Sequence, residues 1–442
     1  MPVGNAESVT RRNQVRTKKN QIIAATVMAL LLAASLLAGT SYAAEPLTLD
    51  EALTTALKNH PQLVEAKENL HAAEARTGQA LAVYYPQISI AADWNKGRTF
   101  LTPTESIKLT EAHTEALYLK QTIYDFGRTS GAVDAARYSR EALDRSVTLT
   151  RQDLALRIRS AFYLLLAAEK QVAAVRETVK ARTEVYRQSQ EFFNQGIRAK
   201  VDVARAEANL YSARTALIRA ENNREIARVE LANAMGIVSL GERSLAEPSP
   251  VSLPLPERSQ AQQAAMRNRA ELQQLTALKS AASANLKTAK SSYWPVFSGT
   301  ASIGYADRDF PPNGNVWGVG LDLTVPLFSG FSSVEQVREA TANINAIEAR
   351  NNNLRLQIIR EVESAWLGVS EASARIASTE KEVEATKENQ DLAEGRYHEG
   401  VGNIIEVTDA QSQALDAQTA HIQAGYDYFT TLARLDRAMG KE

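Results

Sequence analysis

The sequence contains no cysteine among its 442 residues. This absence excludes disulfide bonds, thiol catalysis, cysteine-ligated zinc and a lipidated N-terminal cysteine. The formal net charge is −1 and the two signs are interspersed, which is not typical of a nucleic-acid-binding surface. The five histidines lack metal-ligand spacing, and we find neither a phosphate-binding glycine loop nor a nucleophile elbow. The sequence therefore predicts no enzyme, no metal site and no cofactor.

Long apolar runs are also lacking, apart from residues 22–38. A stretch rich in arginine and lysine precedes this run, and Ser41 and Ala43 supply the small residues of a cleavage site. We therefore predict a signal peptide over residues 1–43, with cleavage after Ala43 or Ala44. The alternative is an uncleaved inner-membrane anchor, because 17 residues lie at the short end of what spans a bilayer.

Proline is absent from residues 104–247 and from residues 327–442. Because proline breaks helices, these two stretches are open to long helices. Four prolines occur together within residues 248–256, which we predict to be a linker.

The proline-free stretches carry apolar or small residues at alternating spacings of four and three. In the first stretch these residues are Leu154, Ile158, Ala161, Leu165, Ala168, Val172, Val175 and Val179; in the second they are Ile358, Val362, Ala365, Val369, Ala372, Ile376, Thr379 and Val383. A sustained 3.5-residue period predicts helices packed as left-handed coiled coils. We predict one helix over 129–192 and another over 333–395, each about 95 Å long at 1.5 Å per residue.

The second half of the chain repeats the first. Residues 59–63 (NHPQL) recur as 268–272 (NRAEL) with a shift of 209, and Gly196 recurs as Gly400 with a shift of 204. A fixed period of about 200 residues indicates a duplicated half-molecule, since it is far longer than a solenoid repeat. We predict a first repeat over 44–247 and a second over 257–442.

Two short regions change from the helical period to a period of two. Apolar and polar residues alternate over 86–94, 297–305 and 319–325, and more weakly over 117–123. These segments predict β-hairpins at about 86–125 and 295–327, each strand having about ten residues. Such strands are typical of a transmembrane β-barrel. A small soluble sheet that caps a coiled coil is the alternative.

Aromatic residues favour the barrel, because they cluster where the strands meet the helices, as in a membrane-interface belt. They are Tyr84, Tyr85, Tyr124, Phe126, Tyr293, Trp294, Phe328 and Phe331. Four strands cannot close a barrel, and lipid does not tolerate an open edge. Two copies would give a filled eight-stranded barrel, whereas three would give twelve strands around water. The polar strand face, with residues such as Thr300 and Asp322, favours the trimer.

As a set, several motifs resemble those of TolC-type outer-membrane efflux proteins. They are residues 47–53 (LTLDEAL), 59–61 (NHP), 85–86 (YP), 123–127 (IYDFG), 327–330 (LFSG) and the two Met-Gly pairs at 235–236 and 439–440. The resemblance covers 45–440 and implies a mainly α-helical fold with a transmembrane β-barrel. Three protomers would form a 12-stranded barrel in the outer membrane and an α-barrel in the periplasm. The implied function is an exit duct for an inner-membrane pump with a periplasmic adaptor, in efflux or type I secretion.

The same resemblance implies roles for residues at the breaks between the long helices. Gly196 and Gly400 would lie at the tips that dock the adaptor, where each also suits a turn. Glu406 and Asp409 lie on one helix face and would form an acidic, pore-lining ring of six carboxylates in a trimer. Such a ring favours cations and binds divalent ions.

The resemblance also implies a latch at the tips. Asp202 matches a family position that pairs with an arginine, but the partner position here is Gly402. Arg198, Lys200 and Arg205 are all candidates for the missing cation, and the sequence does not choose among them.

A periplasmic adaptor or scaffold, anchored through residues 22–38, is the alternative from another functional class. An adaptor should have one helical hairpin flanked by split β-domains, which the repeated halves do not match. The transported substrate, whether drug, metal or protein, is not encoded in any motif that we recognise.

Overall fold

The computed structural model describes residues 45–99, 108–241, 243–248 and 255–441. The predicted signal peptide and most of the predicted linker lie outside these residues. The described residues divide into two units, one formed by residues 45–48 with 241 and 243–248, and the other by the rest. In the first unit, Leu47 forms a parallel bridge with Leu245, and the Arg243 Nε donates to the Glu45 carbonyl at 3.0 Å.

The second unit contains the helices and the sheet. Its elements are α1 (Leu49–Asn59), α2 (Pro61–Leu81), β1 (Gln87–Thr99), β2 (Lys108–Tyr124), α3 (Arg128–Asn194), α4 (Lys200–Met235), α5 (Arg258–Asn268), α6 (Ala270–Ser291), β3 (Val296–Asp307), β4 (Gly314–Thr324), α7 (Ser332–His398) and α8 (Ile404–Ala438). The order of two helices, two strands and two helices thus occurs twice. Within the described residues, no helix is both long enough and apolar enough to cross a membrane.

The two longest helices confirm the coiled-coil prediction. α3 and α7 each have 67 residues, so each is about 100 Å long at 1.5 Å per residue. The predicted apolar positions face the interior: Ile158 and Ile358, for example, are fully buried. α3 packs along α4, and α7 packs along α8. Burial of this stripe supplies most of the helical stability, as expected for long amphipathic helices.

Each long helix begins after a sharp turn that a side chain caps. The Asp125 carboxylate accepts from the backbone N–H of Thr129 at 2.7 Å, and the Ser329 hydroxyl accepts from the N–H of Ser333 at 3.4 Å. The two residues after each cap have positive φ: 53° and 95° for Phe126 and Gly127. In the second half the order is reversed, with Gly330 preceding Phe331. The turn is thus preserved although the glycine has changed places.

The four strands form one antiparallel sheet in the order β1-β2-β3-β4, so β1 and β4 are its edges. The first hairpin extends beyond the predicted ten residues per strand, with 13 residues in β1 and 17 in β2. Lys96 and Glu111 form an ion pair of 2.7 Å across the extension. Charged cross-strand partners stabilise a hairpin without apolar alternation, which is why the period of two underestimated its length.

A charged cluster around the buried Arg269 joins α3, α6, α7 and the end of α8. Arg269, which is 3 % exposed, contacts Glu361 at 2.6 Å and Glu271 at 3.0 Å. Arg437 contacts Glu271 at 2.8 Å and Asp153 at 2.7 Å. We call these five residues the charged junction.

Candidate functional site at the interhelical turns

The turns between paired long helices have the same backbone in both halves. In the first turn (195–199) the N–H of Ile197 donates to the Phe192 carbonyl at 2.9 Å, and in the second turn (399–403) the N–H of Val401 donates to the Arg396 carbonyl at 3.0 Å. Gly196 and Gly400 have φ values of 74° and 77°. A Cβ at either glycine would meet nothing within 4 Å. Positive φ, rather than lack of space, therefore explains both glycines.

The second turn leads directly into the helix that carries the predicted acidic residues. The Asn403 side chain caps α8 by accepting from the backbone N–H groups of Ile405 at 2.7 Å and Glu406 at 3.0 Å. Glu406 and Asp409 are both exposed, and the helix places them on one side. The Arg396 Nε lies 3.7 Å from the Glu406 carboxylate, which partly offsets its charge. The carboxylates are thus accessible at the first turns of a capped helix.

An apolar cluster lies beside the turns and holds the four helix ends together. Its buried members are Val185, Ala206, Ala393, Tyr397, Ile404, Val407 and Ala410. Tyr397 is the largest of these and is 1 % exposed. Burial raises the pKa of its phenol, the nearby Asp202 carboxylate adds to this rise, and Arg198 opposes it. The phenol therefore stays neutral at physiological pH.

Of the three cations that the sequence left open, Arg198 is the one that reaches the second turn. Its Nη2 donates to the carbonyl oxygens of Gly400, at 2.8 Å, and of Gly402. Its guanidinium carbon lies 5.9 Å from the centre of the Tyr397 ring. Asp202 is half-buried and forms no ion pair within the part of the chain that the structure describes. Arg198 thus binds main-chain carbonyls rather than a carboxylate.

Position 402 is occupied by glycine for a steric reason that the sequence did not reveal. A Cβ at this position would lie 2.9 Å from the Tyr397 nitrogen and 3.0 Å from the Arg396 carbonyl carbon. Both atoms belong to the backbone of α7, so they cannot move aside cheaply. The sequence offered one signal for the contact between Arg198 and Gly402, because the internal repeat makes these two positions equivalent under the shift of 204.

The predicted interface aromatics lie where strands and helices meet, and all are exposed. The Phe126 ring stacks on Trp294 with centroids 5.2 Å apart and contacts Tyr124 edge-on at 4.7 Å. Phe328 and Phe331 form a separate edge-on pair at 5.5 Å. Tyr84, Tyr85 and Tyr293 complete the set.

Comparisons with known proteins agree on one family. The family model described as "Outer membrane efflux protein" matches residues 52–237 and 261–441. Outer membrane efflux protein BepC of Brucella suis biovar 1 is 24% identical over 424 residues, covering 93% of this chain and 89% of BepC. Outer membrane protein TolC of Escherichia coli K12 is 22% identical over 428 residues, covering 91% of this chain and 84% of TolC.

A solved structure shows the same fold. The CmeC outer membrane channel of Campylobacter jejuni matches with a TM-score of 0.79 and 19% identity, covering 89% of this chain and 85% of CmeC. The adaptor interpretation is not supported, since the matching family model covers both halves of this chain. The family is one of transport proteins rather than of enzymes. This chain belongs to the outer membrane efflux protein family.

Proposed function

We propose that this protein is the trimeric exit duct of an export system, carrying substrates across the periplasm and outer membrane. It receives them from an inner-membrane pump through a periplasmic adaptor. Family membership supports the outer-membrane location and the transport role. We infer three copies from the four-stranded sheet, because its edge strands, β1 and β4, have no partner strand within the described residues. Lipid does not tolerate such edges, and three copies would close them into twelve strands.

The acidic residues of α8 are the proposed constriction of this duct. A threefold axis would gather six carboxylates from Glu406 and Asp409 at a narrow mouth. A site walled by protein focuses the field of such a ring, so cations should enter more easily than anions and divalent cations should block flow. The Arg396 side chain, 3.7 Å from Glu406, offsets part of this charge and leaves Asp409 as the stronger contributor.

Gly196 and Gly400 mark the exposed tips where an adaptor would dock, and the exposed aromatics at the strand ends would lie at the lipid interface. We also propose that residues 1–43 are a cleaved signal peptide, followed by a first repeat over 44–247, a linker over 248–256 and a second repeat over 257–442.

The native mass of the protein extracted from separated outer membranes tests the proposal. A trimer whose first residue is Ala44 or Glu45 is the expected result. A monomer in the inner-membrane fraction with Met1 retained would contradict it.

A second experiment tests the constriction in a planar bilayer. The Glu406→Gln, Asp409→Asn double variant should lose most of the cation selectivity and of the block by Mg²⁺. Glu399→Gln is a matched control, because Glu399 is an exposed carboxylate at the second turn but precedes α8. Selectivity that survives the double substitution would refute the assignment of the ring.

A further inference from the structure

We infer that a cavity between α3, α7 and α8 binds a small organic anion with a phosphate-type head group. The cavity has a volume of about 760 Å³, a size that suits a small-molecule ligand. Its charged lining residues are Arg269, Arg360, Arg434, Arg437, Asp153 and Glu361. Gly368, which also lines the cavity, lies about 45 Å along α7 from the end of that helix at His398, at 1.5 Å per residue. The site is therefore distinct from the proposed constriction, and the inference does not rest on it.

The carboxylates of this cavity are already paired, because Asp153 and Glu361 belong to the charged junction. The Arg437 Nε lies 2.7 Å from the Asp153 carboxylate, and the Arg269 Nη2 lies 2.6 Å from that of Glu361. Glu271, also in the junction, contacts both of these arginines. Even when Glu271 is counted, there are four arginines and three carboxylates, so the cavity keeps a net positive charge.

The excess charge belongs to Arg360 on α7 and Arg434 on α8. Both side chains are exposed and form no hydrogen bond or ion pair with the described residues. Arg269 is 3 % exposed, and its Nε is a buried donor without a partner in the described part of the chain. Buried donors are normally hydrogen-bonded. The lining of the cavity therefore has donors for which the described residues supply no acceptor.

The internal repeat supplies a comparison, because the first half has a cavity at the equivalent place between α3 and α4. Seven of its eight lining residues are equivalent to lining residues of the second cavity under the shift of 204. The first cavity, however, has a single arginine, Arg157, and a single carboxylate, Glu230. Glu230 and Asn233 occupy the positions that Arg434 and Arg437 occupy in the second half. The packing of a long helix pair thus does not require the cationic lining, which only the second cavity has.

Gly368 makes the second cavity larger than the first, which has a volume of about 490 Å³. The equivalent residue of the first half is Leu164, whose side chain lines its cavity and is 46 % exposed. Glycine inside a helix is destabilising relative to alanine. A Cβ at Gly368 would lie 3.4 Å from the Thr431 Cγ2, an ordinary contact, so packing does not exclude a side chain there. The glycine therefore keeps open a space that a leucine would fill.

The chemistry of the walls selects the class of ligand. Guanidinium groups match phosphate oxygens through paired N–H donors. Because Arg360 and Arg434 come from different helices, a dianionic head group can accept from both. Leu156, Ala365 and Ala438 add apolar surface for the rest of the molecule. An organic phosphate uses both parts of the lining, whereas inorganic phosphate uses only the cations.

Isothermal titration calorimetry of the detergent-purified protein tests the inference, with phenyl phosphate as the ligand in a buffer free of phosphate and sulfate. Saturable binding with one site per protomer is the expected result. Inorganic phosphate should bind roughly tenfold more weakly, because it buries no apolar surface. Phenol, which lacks the charge, should show no saturable binding.

Three variants locate the site. Arg434→Gln should weaken the binding of phenyl phosphate by at least about tenfold, the factor expected for hydrogen bonds from a charged donor. Arg355→Gln is the matched control, since Arg355 is an exposed arginine of α7 that does not line the cavity, and it should bind as wild type. Gly368→Leu, which installs the residue of the first half, should abolish binding without lowering the unfolding midpoint.

Four outcomes would overturn the inference. The first is the absence of saturable binding of phenyl phosphate to the wild-type protein. The second is binding of phenol as tight as that of phenyl phosphate. The third is an equal loss of affinity in Arg434→Gln and Arg355→Gln, which would reduce the effect to net charge. The fourth is wild-type affinity in folded Gly368→Leu; if this variant does not assemble, the comparison of Arg434→Gln with Arg355→Gln decides. None of these outcomes bears on the trimer or the constriction, which the native mass and the ion selectivity test.

Discussion

The closest backbone approach in the sheet gives the sharpest stability prediction. Gly304 on β3 pairs with Ala116 on β2. A Cβ at Gly304 would lie 2.2 Å from the Glu115 carbonyl oxygen and 2.5 Å from the Ala116 Cα. Both atoms belong to the neighbouring backbone, so Gly304→Ala must push β2 and β3 apart locally by about 1.2 Å to reach the ordinary contact distance of 3.4 Å.

That displacement lengthens the adjacent ladder hydrogen bonds beyond a useful distance. Losing two or three of them, at about 1 kcal/mol each, adds to an overpacking cost of similar size, so we expect a loss of about 4–6 kcal/mol per protomer. The matched control is Gly318→Ala on β4, whose Cβ would meet only the Ser302 hydroxyl at 3.5 Å. This control should change the free energy of unfolding by less than about 0.5 kcal/mol.

The assay is guanidinium unfolding of detergent-purified protein followed by tryptophan fluorescence. Two of the four tryptophans, Trp94 and Trp317, lie on the edge strands β1 and β4 and report on the sheet. Gly304→Ala should unfold at a clearly lower denaturant concentration than Gly318→Ala. Equal midpoints for the two variants would show that the close approach does not constrain position 304.

Two further predictions concern burial and backbone strain. Arg269→Ala should lower the free energy of unfolding by about 2 kcal/mol. This is less than the full cost of breaking a buried ion pair, because Glu361 is partly exposed to solvent and Glu271 still contacts Arg437. Removal of the exposed Arg338 should cost less than about 0.5 kcal/mol, and similar melting temperatures for the two variants would contradict the prediction. Gly236→Ala should lower the free energy of unfolding by about 1–2 kcal/mol more than Gly196→Ala does. Both glycines have positive φ, but of the two only Gly236 would place a Cβ within 3 Å of a neighbour. Equal unfolding midpoints would mean that backbone conformation is the only cost at either position.

The long helices and the strands could be predicted because their signals are repeated many times. Ile158 and Ile358 belong to apolar stripes of eight positions, and a chance match over that length is improbable. The extent of the first hairpin was underestimated, since Lys96 and Glu111 stabilise it through a cross-strand ion pair rather than through apolar alternation.

The contacts at the turns could not be predicted in the same way. Arg198 and Gly402 are 204 residues apart, and their meeting depends on how two helical hairpins pack rather than on any local pattern. The sequence limited the cation to Arg198, Lys200 or Arg205, but one of these lies in the turn and two lie in the first turns of α4, and only side-chain direction decides among them. Positive φ at Gly196 and Gly400, by contrast, follows from local turn chemistry and was predictable.

The duplicated halves keep the same backbone but place their charges differently, and this difference favours correct pairing of the helices. In the first half Arg157 donates to Gln62 at 3.1 Å. The equivalent positions in the second half, Glu361 and Glu271, are carboxylates that flank the buried Arg269. If the junction of α5 and α6 packed against the first half's Arg157 position, Arg269 would meet a like charge instead of Glu361. Arg269 would keep Glu271 but face a like charge in a buried position, which is unfavourable, so the charged junction disfavours exchange between the two halves.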